Sequence, residues 1–251
     1  MDKVIDIEER IPTLRERRKK RTNRRFIILI VIFLITLLTL LYFQSPYSHI
    51  GRIKVEGNHL QSKDYYIKHS GLKKGNSLWD FKSSKIEGLI KSKQIVKSVE
   101  VKRSWLNTVT LSIKEHKDVA FLKENDQYSL VLDNGQTLRL SKLPKKLDMP
   151  ILVGFENKKT RVKMIHQLKQ LSSELTALIS QVNLIPNDSN PYAIQMFMND
   201  GFEVRGSISS LASKLKFYPS IISQIKHKDK GVIDLEVGTF YRSYRDEYSK
   251  K

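Results

Sequence analysis

The feature that most constrains this chain is an uncharged apolar run near its amino terminus. Phe26 to Phe43 are eighteen consecutive residues without a charge, and only Thr36 and Thr39 among them are weakly polar. As a helix rising about 1.5 Å per residue, the run is about 27 Å long, which matches the hydrocarbon core of a bilayer. A buried helix of a soluble protein would show a polar face, which this run lacks. We therefore predict one membrane-spanning helix over residues 26–43.

The charges on either side of the run predict its orientation. Residues 1–25 hold ten Lys/Arg against five Asp/Glu, whereas the first positive charge after the run is Arg52. Under the positive-inside rule, residues 1–25 form a basic cytoplasmic tail and the rest lies outside the cell. A cleaved signal peptide needs a small-x-small site, which Gln44-Ser45-Pro46 does not offer, and a lipoprotein signal needs a cysteine, which the chain lacks. The prediction is an uncleaved signal anchor of a single-pass type II protein.

Positive charge continues beyond the anchor. The formal net charge is +19, and residues 1–25 account for only +5 of it. A distributed excess of this kind favours anionic surfaces, and outside the cell these are wall polymers or phospholipid headgroups, not nucleic acid. A lysine-rich surface that only keeps the protein soluble explains the same charge. With no cysteine there are no disulfides, so the outer part must be stabilised by core packing alone.

Residues 48–117 alternate between strand and helix patterns. Ile53 to Glu56 alternate apolar and polar residues before a Gly57-Asn58 stop, which predicts a strand. Two helices follow, with Ser62 as the cap of the first and Gly71 as its end. The second helix opens at Leu78, Trp79 and Phe81, and further strands are predicted over 99–102 and 108–114. The order predicts a small α+β layer, with helices on one face of a three-stranded sheet and at least one open sheet edge.

Residues 118–240 predict a second α+β domain with a mainly antiparallel sheet. Asn134-Gly135 and Asn199-Asp200-Gly201 each separate two apolar runs, a strong hairpin signal. The other predicted elements are strands at 151–153 and 182–185, a helix at 159–171, a helix at 211–225 that Pro219 kinks or interrupts, and a closing strand at 231–238. In the closing strand, alternation directs Ile233, Leu235 and Val237 to the core and Val232, Asp234 and Glu236 outward. Residues 241–251 are predicted to form a flexible tail.

The spacing of apolar and glycine residues in the first module resembles the POTRA domain. The motifs are Ile53-x-Val55-x-Gly57-Asn58, Gly71-Leu72-x-x-Gly75-x-x-Leu78 and Ile95-Val96-x-x-Val99-x-Val101-x-Arg103, with Trp105 following. After a basic tail and one anchor helix, they are similar to the DivIB/FtsQ family of bacterial cell-division proteins. One departure is Leu106-Asn107-Thr108, where related sequences usually place a proline, and it is expected to alter this hairpin locally. The resemblance covers nearly the whole chain but is diffuse beyond residue 118.

Catalytic and ligand-binding motifs are missing from the sequence. The six histidines show no metal-ligand spacing, and neither a Gly-x-Ser-x-Gly elbow nor a phosphate-binding glycine loop occurs. Ser-x-x-Lys occurs at Ser70/Lys73, Ser213/Lys216 and Ser223/Lys226, but the Ser-Asp-Asn and Lys-Thr-Gly motifs that accompany it in wall enzymes are absent. We therefore predict no catalytic residue, metal or cofactor, and expect a protein that is not an enzyme.

The resemblance implies a scaffold of the division machinery, concentrated at the septum. It implies partners among FtsL-like and DivIC/FtsB-like bitopic proteins, possible contacts with septal peptidoglycan synthases, and a part in regulating septal peptidoglycan synthesis. The closing strand is the expected partner site, where a partner segment pairs with an exposed edge at Val232 to Val237. The predicted partner-binding residues are Val232, Ile233, Asp234, Leu235, Glu236, Val237, Phe240 and Tyr241.

Two alternatives stay open at this stage. Phe240 and Tyr241 are expected as apolar anchors for a partner, yet simple packing of the chain end onto the domain explains them equally well. The alternative function is a wall-polymer-binding or wall-processing protein that uses its basic outer surface.

Overall fold

The membrane-spanning segment and two folded units follow one another along the chain. The computed structural model describes residues 10–104, 107–140, 148–225 and 229–249. Trp105, Leu106 and Lys226, which the sequence motifs include, lie outside these ranges. Unit 1 comprises Met1–Ser92 and Ser98–Ile113, and unit 2 comprises Lys93–Lys97 and Lys114–Lys251.

The elements alternate as the sequence pattern indicates. Up to residue 115 they are α1 (Arg10–Gln44), β1 (Arg52–Glu56), α2 (Lys63–Ser70), α3 (Ser83–Lys91), β2 (Val96–Ser104) and β3 (Thr108–Glu115). The remaining elements are β4 (Asp118–Glu124), β5 (Gln127–Leu132), β6 (Thr137–Arg139), β7 (Ile151–Val153), α4 (Lys158–Leu168), α5 (Ser173–Leu178), β8 (Ile179–Leu184), β9 (Ala193–Met198), β10 (Glu203–Ser207), α6 (Leu211–Leu215), α7 (Tyr218–Gln224), β11 (Gly231–Asp234), β12 (Phe240–Ser243) and α8 (Tyr244–Tyr248).

Helix α1 contains the predicted membrane segment. Within the described residues, its Lys19–Gln44 portion is the one helix long and apolar enough to cross a bilayer. The two threonines of the apolar run at 26–43 are compatible with lipid, because the Thr36 hydroxyl donates to the Ile32 carbonyl at 2.9 Å and the Thr39 hydroxyl to the Ile35 carbonyl at 2.7 Å. A hydroxyl bonded to its own helix leaves no unpaired polar group in the hydrocarbon.

The strand, helix, helix, strand, strand order of the POTRA-like unit is confirmed. Its sheet has the order β1-β3-β2, with β1 parallel to β3. Helix α2 begins where the Ser62 hydroxyl accepts from the Tyr65 amide and ends at Gly71 with φ +70°. Helix α3 begins at Ser83, later than predicted, because the amide of Leu78 instead donates to the Ser48 carbonyl and its side chain is buried.

The second unit is the predicted α+β domain. Within the described residues its sheet has nine strands in the order β12-β11-β10-β9-β8-β7-β4-β5-β6. The β4–β7, β7–β8 and β10–β11 pairs are parallel and the other pairs antiparallel, so the sheet is mixed but mainly antiparallel. Its core includes Met164 of α4, Met196 and Met198 of β9, and Leu215 of α6.

Of two predictions for the end of the chain, one is confirmed and one is wrong. The helix over 211–225 is interrupted as predicted and forms α6 and α7, and Pro219 lies in the first turn of α7, where its missing amide costs nothing. The flexible tail expected from residue 241 is instead the strand β12 and the helix α8 through residue 248. The physical reason is that side chains of the distant strand β10 hold this segment in place.

Candidate functional site at the carboxy-terminal edge of the large sheet

The strand expected to be an open edge is paired on both sides. Ile233 of β11 lies opposite Val204 of the parallel strand β10 and opposite Tyr241 of the antiparallel strand β12. Strand β11 ends at Asp234, although the Leu235 amide still donates to the Arg205 carbonyl of β10 at 2.8 Å, and Glu236 and Val237 lie beyond the strand. The edge available to a partner is therefore not Val232 to Val237. Within the described residues the outermost strand at this side of the sheet is β12, and β6 is the outermost strand at the other side.

Alternation in the predicted closing strand fails at two positions. Val232, expected to face solvent, is buried, and Val237, expected in the core, is 92% exposed. Val237 lies beyond the strand, and the Lys214 ammonium group binds the carbonyls of the preceding Leu235 and Glu236, at 2.5 and 2.7 Å. Val232 is buried because α8 covers the second face of the sheet here, so both faces of this strand are covered.

The register of β12 determines which of its backbone groups point away from β11. The Tyr244 amide donates to the Lys230 carbonyl, and Val232 and Arg242 are the next hydrogen-bonding pair along the ladder. In an antiparallel pair, hydrogen-bonded and non-hydrogen-bonded positions alternate. The amide and carbonyl of Tyr241, opposite Ile233, therefore point outward. Outward backbone groups on an edge strand are the geometry that strand addition requires.

The two predicted anchor residues have different surroundings. The Tyr241 hydroxyl donates to the Asp229 carbonyl at 2.6 Å, and its ring contacts Phe202 edge-on at 6.5 Å between centroids. Phe240 lies on the opposite face of β12, beside α8, and is 60% exposed. Tyr241 thus packs the chain end onto the domain, whereas Phe240 offers an apolar surface next to the edge.

A buried carboxylate holds α8 against the sheet. Glu203 of β10 is 1% exposed, and it accepts from Arg205 Nε at 2.7 Å, Gln195 Nε2 at 2.9 Å and the Tyr248 hydroxyl at 2.7 Å. The hydrogen bond to Glu203 and burial both raise the pKa of Tyr248, so this hydroxyl stays a donor. A buried charge with three donors is well compensated, and the arrangement ties the last turn of α8 to β10.

Glu247 links α8 to two strands at once. It accepts from Arg205 Nη1 at 2.6 Å and from Arg242 Nη1 at 3.2 Å. These hydrogen bonds hold the pKa of Glu247 below its ordinary value. Burial lowers the pKa of Arg205, but its hydrogen bonds to Glu203 and Glu247 outweigh burial and the net shift is upward. Four charged side chains therefore connect β10, β12 and α8.

We expect acid to release α8 from the sheet. Because the pKa of Glu247 is lowered in the folded state, its contribution is complete above the ordinary value of 4.5 and is lost as pH falls through the lower folded value. Amide resonances of residues 244–248, followed from about pH 7 to about pH 3, should lose their dispersion in that window.

The control for this titration is Glu247→Gln, which should remove the part of the transition that Glu247 causes, because the carboxylate that binds Arg205 and Arg242 is gone. Glu174 also has a lowered pKa, mainly because of the backbone amide hydrogen bond and the hydroxyls of Ser172 and Ser173. Its protonation in the same titration should change only the resonances of α5. Unchanged α8 resonances across the acid range would show that Glu247 does not hold the helix.

Sequence reasoning missed α8, although one local signal was present. Ser243 caps the helix, with its hydroxyl accepting from the Asp246 amide at 3.2 Å and donating to the Asp246 carboxylate at 2.7 Å. Ser-x-x-Asp is a helix-start pattern. Local pattern alone could not reveal the contacts with Glu203 and Arg205, which lie about forty residues away.

The fold and this site together define a class of protein. An apolar anchor helix precedes a POTRA-type unit and a mixed sheet with an edge strand at its carboxy-terminal end. Within the described residues, no group of three His, Cys, Asp or Glu side chains is placed to hold a metal ion. The class is a membrane-anchored POTRA protein whose candidate site is the edge strand of its second sheet.

Comparison with known proteins identifies the family. The profile of the POTRA domain, FtsQ-type, matches residues 48–116, and the profile of cell division protein FtsQ/DivIB, C-terminal, matches residues 120–236. Cell division protein DivIB of Solibacillus silvestris is 47% identical over 99% of this chain and 88% of its own length. Cell division protein DivIB of Bacillus subtilis is 38% identical over 100% of this chain and 96% of its own. The chain belongs to the FtsQ/DivIB family of cell-division proteins.

A solved structure also resembles part of this chain. It is the major extracytoplasmic domain of the trans isomer of DivIB from Geobacillus stearothermophilus, which is 27% identical and covers 45% of this chain and 95% of that chain, with a TM-score of 0.39. Family membership supports a role in cell division, and the amino-terminal apolar helix fits a single-pass membrane protein.

Proposed function

We propose that this protein is a bitopic scaffold of the division machinery that captures partner proteins by strand addition and is not an enzyme. Its organisation is a basic cytoplasmic tail at 1–25, an anchor at 26–43, a POTRA-like domain at 48–117 and a sheet domain from 118 that lies outside the cell. The proposed partners are FtsL-like and DivIC/FtsB-like bitopic proteins at the septum, together with septal peptidoglycan synthases, and the complex helps to regulate septal peptidoglycan synthesis.

The single observation that carries the proposal is the outer edge of β12. Tyr241 presents its amide and carbonyl outward, and Phe240 supplies an exposed apolar side chain beside them. Main-chain pairing gives affinity in strand addition, and alternate side chains give specificity. The proposed pairing strand is therefore β12, the strand next to the predicted site at Val232 to Val237. In this arrangement β11 pairs with the inner side of β12, and Glu236 and Val237 lie in the connection between the two strands.

Main-chain pairing predicts a specific effect of proline at Tyr241. Proline has no amide to donate, yet an edge strand tolerates it where that amide faces solvent. Tyr241→Pro should therefore lower affinity for the DivIC-like partner by about tenfold or more, since one hydrogen bond is lost and the partner strand meets the ring. The measurement is co-purification of the two full chains, with a titration to obtain the dissociation constant.

Tyr241→Ala is the matched control, because it keeps the amide while removing the ring that packs on Phe202. The proline variant should bind more weakly than the alanine variant. Equal binding by the two variants would show that the outward amide plays no part in capture. Phe240→Ala should also weaken binding, and its fold should remain intact because the side chain is exposed.

The alternative function is wall-polymer binding or wall processing. Of these two, the basic surface favours wall-polymer binding. Residues 48–116 alone hold fourteen Lys/Arg against six Asp/Glu. Binding of the full chain to purified sacculi across a salt series separates the two functions, because polyanion binding collapses with salt. Strand pairing, by contrast, largely survives salt.

A further inference from the structure

The connection between the anchor helix and the POTRA-like unit is short and is held by several hydrogen bonds. Helix α1 ends at Gln44, and a 3-10 turn at Pro46–Ser48 follows at once. The Ser45 amide donates to the Tyr42 carbonyl at 3.0 Å, and the Ser48 hydroxyl donates to the Phe43 carbonyl at 2.8 Å. Four residues span at most about 14 Å even when fully extended. The unit therefore begins directly at the membrane surface.

A loop of the unit is bonded to this connector. The Leu78 amide donates to the Ser48 carbonyl at 2.8 Å, the Ile50 amide to the Asn76 carbonyl at 2.7 Å, and the Gly75 amide to the Ile50 carbonyl at 2.8 Å. Ile50 itself is buried in the core of the unit. The loop after α2 thus forms the end of the unit nearest the anchor.

The side chains at this end have the composition of a membrane interface. Tyr47 is 57% exposed and Trp79 is 44% exposed, and Lys73 and Lys74, which lie in the same loop as Trp79, are exposed as well. We call these four residues the proximal patch. Tryptophan and tyrosine favour the headgroup level because one part of each ring system is apolar and another forms hydrogen bonds. Lysines at the same depth attract anionic headgroups.

Neighbouring charges reinforce the patch. The Arg103 guanidinium lies 6.0 Å from the centroid of the Trp79 ring and 4.4 Å from that of Phe81. Lys82 is exposed at the end of the same loop, and Asp80 is the one acidic residue between Gly71 and Lys82. The loop therefore keeps an excess of positive charge.

We propose that the proximal patch docks on anionic phospholipid headgroups of the leaflet from which α1 emerges. Docking would fix the height and tilt of the POTRA-like unit above the membrane. The proposal rests on α1 spanning a bilayer and on the connector geometry, and it is independent of partner capture at β12. A negative result for lipid docking therefore does not contradict partner capture at β12, and the converse also holds. A lipid surface is favoured over a wall polymer because the connector places the patch within reach of headgroups in every molecule.

The test places the full chain in nanodiscs whose lipids carry bromine near the carbonyl end of the acyl chains. Trp105→Phe makes Trp79 the only indole, since the chain has two tryptophans. Trp79 fluorescence should be quenched in nanodiscs with about 30% phosphatidylglycerol and less so in phosphatidylcholine alone. Lys73→Glu/Lys74→Glu should reduce the quenching in the anionic nanodiscs by about half or more, and Lys73→Gln/Lys74→Gln should have an intermediate effect.

The matched control is Lys63→Glu/Lys91→Glu. It makes the same change of charge at the start of α2 and the end of α3, the helix ends remote from the loop, and should leave quenching at the wild-type value. Absence of quenching in the wild-type chain, or equal quenching in the two glutamate double variants, would overturn the proposal. A change in Trp79 emission only on addition of poly(glycerol phosphate) would also overturn it and would assign the patch to a wall polymer.

Discussion

Replacement of Gly231 by alanine is expected to detach β12 and α8 from the large sheet and to abolish partner capture. A Cβ at this position would lie 2.1 Å from the Arg242 carbonyl oxygen and 2.9 Å from Ser243 Cα, so the β12 backbone must move. Overpacking of this kind costs about 1–3 kcal/mol, and more where backbone resists. Within the described residues β11 is the one strand that pairs with β12, so displacement of β12 is the easiest relaxation.

Hydrogen exchange of the full chain measures this release. Amides of residues 231–248 should lose protection, whereas those of β8 and β9 keep it, and binding of the DivIC-like partner should fall with the same variant. Gly206→Ala is the control, because Gly206 lies in the neighbouring strand β10 and its Cβ would meet only Leu235 Cβ at 3.8 Å, an ordinary contact. If Gly231→Ala captures the partner as well as Gly206→Ala does, the edge at β12 is not the binding surface.

Replacement of Gly57 by alanine is expected to destabilise the POTRA-like unit strongly. Gly57 has φ +77°, a left-handed conformation that costs other residues about 1–2 kcal/mol. Its Cβ would also lie 2.1 Å from the Ile113 carbonyl oxygen, which adds about 1–3 kcal/mol of overpacking. The sum, about 2–5 kcal/mol, is a large share of the stability of a unit this small. Urea unfolding followed by tryptophan fluorescence reports on this unit, because both tryptophans lie in residues 48–117.

Gly71→Ala separates the two contributions. Gly71 has φ +70° but no atom within 4 Å of a built Cβ, so alanine there should cost only the left-handed conformation. Gly57→Ala should therefore unfold at a lower urea concentration than Gly71→Ala. Coincident unfolding curves would mean that the contact of an alanine Cβ at position 57 with the Ile113 carbonyl oxygen costs no stability.

Features that depend on neighbours in the sequence were predictable. The anchor follows from eighteen uncharged residues, and the Ser62 cap and the Gly71 stop of α2 follow from backbone groups that only those residue types satisfy. The hairpin β9–β10 follows from Asn199-Asp200-Gly201 between two apolar runs. The predicted POTRA-like unit and second α+β domain agree with the structure and with the family because these local signals occur in the right order.

The position of the sheet edge was not predictable in the same way. An apolar strand near Ile233 can be predicted from the residues around it, because alternation is a local property. The pairing of β12 with that strand and the burial of Val232 by α8 depend instead on contacts made in the folded domain. The reason is that Glu203 and Arg205 hold Tyr248 and Glu247 across about forty residues, and a charged segment whose partners are distant in sequence has the same composition as a solvated tail.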